Sequence, residues 1–112
     1  MSKQLEDLFT LTGRVVVITG ATGLLGLRHC EAVACAGGIP VLLDLSKKDE
    51  EYQSDRLREV YSVESSGYVV DITNESMVRE NAELLCERYG RIDGLINNAA
   101  NNPKVESADS PV

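Results

Sequence analysis

Three glycines, Gly20, Gly23 and Gly26, stand three residues apart in TGATGLLG, directly after the β-branched run VVVIT. Glycines spaced in this way, where a strand hands over to a helix, suit the binding of an anion. A helix N-terminus offers unpaired N–H groups and the positive end of the helix dipole. A diphosphate reaches them only where side chains are absent. Gly20 would allow the tight turn off the strand, Gly23 would let the backbone approach the phosphates, and Gly26 would let the helix lie close on the sheet. An acid follows at a fitting distance. Asp44 lies at the end of a second apolar run, IPVLLDL, where a carboxylate can accept hydrogen bonds from an adenosine ribose and repel a 2′-phosphate. No Arg neighbours it, and the nearest bases are Lys47 and Lys48, which favours NAD over NADP.

Two more clusters could face the same ligand. Asp71, at the carboxyl end of a third apolar run, could accept a hydrogen bond from an adenine amino group. In Asn97-Asn98-Ala99-Ala100, Asn97 can bridge neighbouring strands through its amide, while Asn98 and Ala99 can present backbone to the nicotinamide-side ribose. Taken alone, the two asparagines read equally well as ordinary turn chemistry.

These residues need a scaffold that brings strand ends together, and the periodicity supplies one. Arg14–Thr19 reads as a strand buried on both faces, and Leu24 to about Ala36 as a helix stopped by Gly37-Gly38. Ile39–Leu45 is a second strand with Pro40 near its start, where a missing N–H costs least. Lys47 to about Tyr61 reads as a charged helix with a weak stripe through Tyr52, Leu57, Val60 and Tyr61. Ser65-Ser66-Gly67 reads as a loop and Tyr68–Ile72 as a third strand, with Thr73 as the N-cap of the next helix and Glu75 in its first turn. That helix aligns Val78, Ala82, Leu85 and Tyr89 and ends at Gly90 before Leu95 and Ile96 open a fourth strand. Alternation of this kind predicts an α/β fold, a Rossmann-type doubly wound parallel sheet of order 3-2-1-4.

Composition limits the alternatives. At 112 residues with 43% hydrophobic content, the chain is one domain with an aliphatic core, since it has one Phe, four Tyr and no Trp. A net charge of -7 argues against a nucleic-acid partner, which needs a basic footprint. Cys30, Cys35 and Cys86 are odd in number and form no C-x-x-C pair, so they read as small buried thiols of a reduced protein. His29, the single histidine, reads as a surface residue without metal-ligand partners. The N-terminal MSKQLEDLFTLTGR has no apolar stretch suited to a signal or membrane span, which points to a cytoplasmic protein without a membrane partner.

On these motifs the chain resembles the short-chain dehydrogenase/reductase family. TGATGLLG is similar to its cofactor loop, Asp71-Ile72 to the pair flanking the adenine, and Asn97-Asn98-Ala99-Ala100 to its N-N-A-G motif, with Ala100 in place of glycine. The glycine spacing is that of the family's extended sugar-nucleotide subgroup, with Leu24 where the commoner subgroup has its middle glycine. The paired asparagines look instead like the short, single-domain subgroup, and NNAANNPK is similar to members that handle bacterial surface sugars. The resemblance makes Gly20, Thr22, Gly23, Leu24, Leu25, Gly26, Asp44, Asp71, Ile72, Asn98, Ala99 and Ala100 the cofactor-binding positions. It makes none of the residues here catalytic.

Family chemistry rests on a Tyr with Lys four residues later. Here Tyr52, Tyr61, Tyr68 and Tyr89 are followed at that distance by Arg56, Ser65, Ile72 and Asp93. Residues 1–112 are therefore expected to be the dinucleotide-binding N-terminal portion of a longer NAD(H)-dependent oxidoreductase. Such an enzyme would act on an alcohol or carbonyl of a small, sugar-like substrate and would be homo-oligomeric, as family members are. The alternatives are a non-catalytic dinucleotide-binding fragment and part of a sugar-nucleotide epimerase or dehydratase. Without a fifth strand, the fourth is expected to be an open edge beside uncovered apolar surface.

Overall fold

A computed structural model describes residues 10–99. Four strands, β1 (Val15–Thr19), β2 (Ile39–Asp44), β3 (Ser66–Val69) and β4 (Gly94–Asn97), alternate with three helices. The helices are α1 (Leu24–Cys35), α2 (Lys47–Tyr61) and α3 (Glu75–Tyr89). The strands form one parallel sheet in the order β3-β2-β1-β4. This is the α/β arrangement that the alternating periods predict.

Every residue of β1 is buried. Successive side chains of a strand face opposite ways, so β1 feeds two cores. Val16 and Ile18 join Cys30, Val33 and Ala34 of α1, Leu42 of β2 and Leu57 of α2 on one face. Val15 and Val17 join Val41, Leu43, Val70 and Leu85 of α3 on the other. Complete burial of a side chain such as Ile18 or Leu42 contributes about 1.5–3 kcal/mol.

Several expectations need correction. The third strand begins at Ser66 rather than Tyr68 and ends at Val69, leaving Asp71 and Ile72 beyond it. Gly67 is a strand residue paired with Leu42, and α2 lies directly on it: a Cβ there would come within 2.5 Å of the Glu50 carbonyl oxygen. Thr73 is not the cap of α3. Its N–H and hydroxyl both turn back to Asp71, and Asn74 caps the helix by accepting the Met77 N–H at 3.1 Å. On α2 the expected apolar stripe narrows to Leu57 and Tyr61, while Tyr52 and Val60 are exposed. Cys30 is buried, and burial pushes its thiol up to about 12, but Cys35 and Cys86 are exposed. His29 is half-buried on α1.

Strand β4 pairs with β1 along one side and, among the described residues, forms the edge of the sheet. Leu95 on it is 63% exposed, and beside it a groove of about 400 Å³ runs between β4 and α3. Apolar side chains such as Val17, Leu85, Ile92 and Leu95 line that groove. No helix among the described residues is long and apolar enough to cross a membrane.

Candidate functional site

The order β3-β2-β1-β4 puts a topological switch beside β1, where the chain winds one way to β2 and the other way to β4. Ligands of open α/β sheets bind outside the carboxyl ends of strands at such a point. A crevice of about 320 Å³ opens there, lined by Gly20, Asp44, Asp71, Ile72, Thr73 and Ala99 among others.

The floor of the crevice is the turn from β1 into α1. Gly20 has φ +62°, a left-handed conformation that glycine adopts at no steric cost. A Cβ on it would lie 2.9 Å from the Ala99 Cα, so the position also needs the missing side chain. Gly26 is excluded from carrying a side chain more severely, since its Cβ would lie 2.1 Å from the Gly20 carbonyl oxygen. Gly23 differs from both. It has an ordinary extended backbone, φ -74° and ψ 170°, and its Cβ would meet nothing closer than 3.5 Å. Among the described residues nothing requires glycine at this exposed position.

Gly23 is the N-cap of α1, with no side-chain cap and no acid in the first turn. The first backbone bond into the helix runs from the Leu27 N–H to the Gly23 carbonyl at 2.9 Å. The N–H groups of Leu24, Leu25 and Gly26 precede it, which is the open donor set of a helix start. Leu24 and Leu25 are 81% and 60% exposed, so their side chains turn away from the core.

One wall of the crevice is Asp44. Its Oδ2 accepts the Thr22 N–H at 2.9 Å and the Thr22 hydroxyl at 2.6 Å, and its Oδ1 accepts the Leu45 N–H at 2.8 Å. Burial pushes this carboxyl up, but the bonds from Thr22 and Leu45 outweigh it and hold the group below the ordinary carboxylate range. Asp71 on the facing wall accepts the Thr73 hydroxyl at 2.6 Å and the Thr73 N–H at 2.9 Å through Oδ1. Those bonds, the hydroxyl's first, hold Asp71 low as well. Both acids are thus fixed as anions at the rim.

The third side is the segment after β4. Thr19 donates its hydroxyl to Asn97 Oδ1 at 3.1 Å, joining β1 to β4. The same Thr19 oxygen accepts the Ala99 N–H at 3.0 Å, and Asn98 Nδ2 donates to the Gly20 carbonyl at 3.2 Å. Asn98 and Ala99 therefore stand over the glycine turn, with the Asn98 N–H already bonded to the Ile96 carbonyl at 3.1 Å. Ala100 lies outside the described residues.

Gly20, Asp44, Asp71, Ile72 and Ala99 line one crevice, with Thr22 bonded to Asp44, Asn98 bonded to the Gly20 carbonyl, and Gly23 next along the turn. Sequence reasoning missed Thr19, the hinge of the third side, and the bond from Thr22 to Asp44. A hydroxyl residue closing a β-branched run was the available signal for the first. Nothing in the spacing signals the second. Among the described residues no group of three or more His, Cys, Asp or Glu could hold a metal ion.

Comparison with known proteins gives the family. A sorbose reductase of Schizosaccharomyces pombe is 34% identical over 97 residues, covering 85% of this chain and 38% of the reductase. The structure of an NAD+-bound xylitol dehydrogenase superposes with a TM-score of 0.76 at 34% identity, covering 80% of this chain and 34% of that one. The L-sorbose reductase of Gluconobacter frateurii, in complex with NADPH and L-sorbose, gives a TM-score of 0.78 at 29% identity, covering 90% of this chain and 40% of that one. The chain spans between 25% and 43% of the length of eight curated relatives that it matches. Residues 14–111 match the short chain dehydrogenase family, and the chain belongs to it.

Proposed function

We propose that residues 1–112 are the dinucleotide-binding portion of an NAD(H)-dependent oxidoreductase acting on a polyol or sugar-like alcohol or carbonyl. The observation that carries this reading is Gly23, a glycine the fold does not need, standing in front of the open N–H groups of α1. Its natural occupant is a diphosphate. Asp44 would then receive the adenosine ribose, Asp71 and Ile72 the adenine, and Asn98 and Ala99 the nicotinamide-side ribose. A bound nicotinamide supplies the hydride donor or acceptor. None of Tyr52, Tyr61, Tyr68 and Tyr89 has Lys four positions on, so residues 1–112 hold no Tyr-x-x-x-Lys pair for the proton.

Relatives named for sorbose and xylitol support a polyhydroxylated substrate. They divide over the cofactor, one structure holding NAD+ and another NADPH. The anionic Asp44 favours NAD, since a 2′-phosphate would meet a carboxylate fixed by three hydrogen bonds. Titration of the chain with NADH and NADPH, followed by nicotinamide fluorescence, tests both levels. NADH should bind more tightly, and Asp44→Ala should abolish that preference. Tighter NADPH binding would overturn the role of Asp44, and no binding of either would overturn the dinucleotide reading.

A further inference from the structure

Glu50 is completely buried on α2, yet it is an acid. Its Oε1 accepts the Ser46 N–H at 2.9 Å, while Oε2 has no hydrogen-bond partner among the described residues. Ser46 ends the corner Asp44-Leu45-Ser46 that leads out of β2. Packing does little to hold this corner, because Leu45 is 67% exposed. Polar bonds hold it instead. The Leu45 N–H reaches Asp44 Oδ1, the Ser46 carbonyl accepts from the Asp49 and Glu50 N–H groups, and Glu50 Oε1 takes the Ser46 N–H. At its Asp44 end the corner is also tied to the Thr22 N–H and hydroxyl and to the Val70 N–H, while the bond to Glu50 ties its Ser46 end to the interior.

We propose that Glu50 is a positioning residue for the dinucleotide site: its buried carboxyl fixes the Asp44 corner and makes affinity for the adenosine end fall as pH rises. The proposal rests on the dinucleotide reading given above. The groups facing Glu50 explain the direction. From the end of β2 comes the Asp44 carboxylate, from the same turn of α2 comes Asp49, and β3 packs against it through Gly67, which has no side chain. An ionised Glu50 would stand buried beside two anions, with one oxygen unpartnered among the described residues. Such a charge is costly. Burial, and after it repulsion from Asp44 and Asp49, pushes the group up to about 7, against the Ser46 N–H that pulls it down.

Neutral Glu50 keeps its seat and leaves Asp44 as the local negative charge that a ribose can use. Ionised Glu50 is driven outward, releases the Ser46 N–H and loosens the corner. Fold stability follows the same sign. An acid raised in the folded state gives stability that is fully present below its ordinary value of 4.5 and is lost as pH rises through about 7.

The test is NADH titration of the chain and of Glu50→Gln from about pH 6 to about pH 8.5. The unaltered chain should lose affinity at least threefold over that range. Glu50→Gln, which keeps the acceptor for Ser46 but cannot ionise, should bind as the unaltered chain does at the acid end and stay flat. A Glu50 that only filled space would leave the two pH profiles parallel. Binding without pH dependence, or a Glu50→Gln profile that follows the unaltered one, overturns the proposal and leaves the dinucleotide reading standing. Absence of NADH binding at every pH overturns that reading and this proposal with it.

Discussion

The three helices of this sheet start differently. At α2, Asp49 and Glu50 occupy the first turn, and Glu50 reaches back to the Ser46 N–H. At α3, Asn74 accepts the Met77 N–H and Glu75 stands in the first turn. Each of these helices carries its own negative charge against the positive end of its dipole. At α1 the cap is Gly23, with no capping side chain and no first-turn acid. A good cap is worth about 1 kcal/mol, and α1 goes without one at the strand ends where the crevice lies. Two helix starts are completed from within the chain. The third leaves its donors for something else.

Substitutions can break or sharpen that contrast. The largest effect is expected at Gly26, where the glycine is demanded by the protein itself. Gly26→Ala should cost about 3 kcal/mol in urea unfolding, because its Cβ overlaps a backbone oxygen that belongs to the turn. Gly23→Asp should do the reverse and make α1 resemble its neighbours. Stability should hold or rise by about 0.5 kcal/mol, while NADH affinity, read by nicotinamide fluorescence, should fall at least about tenfold. A variant that kept its affinity would show that the open donors of α1 are not the diphosphate site.

Thr22→Val comes next. It removes the 2.6 Å hydroxyl bond to Asp44 but keeps the N–H bond, and should cost about 1 kcal/mol near neutral pH. Because Asp44 is held low in the fold, its contribution is present above the ordinary carboxylate value and lost as pH falls through the folded one. The gap between variant and parent in thermal melting should therefore narrow below about pH 4. The smallest effect belongs to Asn74→Ala, which strips a cap remote from the crevice. It should cost about 0.5 kcal/mol in the same unfolding assay and leave NADH affinity unchanged.

The sequence showed clearly what depends on local pattern. VVVIT and IPVLLDL are apolar runs with turn residues after them, and the glycine triplet sits where a strand meets a helix, so the strand order and the turn at the crevice floor could be read. What it concealed depends on contacts between distant elements. Gly67 looks like a loop glycine until α2 is laid on β3, and only then does the strand start two residues early. Thr73 looks like a cap until Asp71 is seen to claim its hydroxyl. Glu50 belongs to a highly charged run and reads as solvent-facing, because nothing in that run reveals that this acid lies beneath the helix. Asn81 is similar, a polar residue buried on α3 beside the apolar positions that the periodicity picks out.

The contact of Asn98 and Ala99 with Gly20 has a kinetic consequence. It comes with bonds from Asn98 to Gly20 and from Ala99 to Thr19, 78 and 80 residues apart along the chain, so the glycine turn is closed by a distant partner. Such long-range closure is slow, since most of the loop entropy must be lost before the contact forms. A nascent polypeptide that has produced only the first helix would have the glycines but no roof over them. Closure of the turn therefore reports the arrival of β4, and any ligand that binds the closed turn would draw this part of the fold toward completion by mass action.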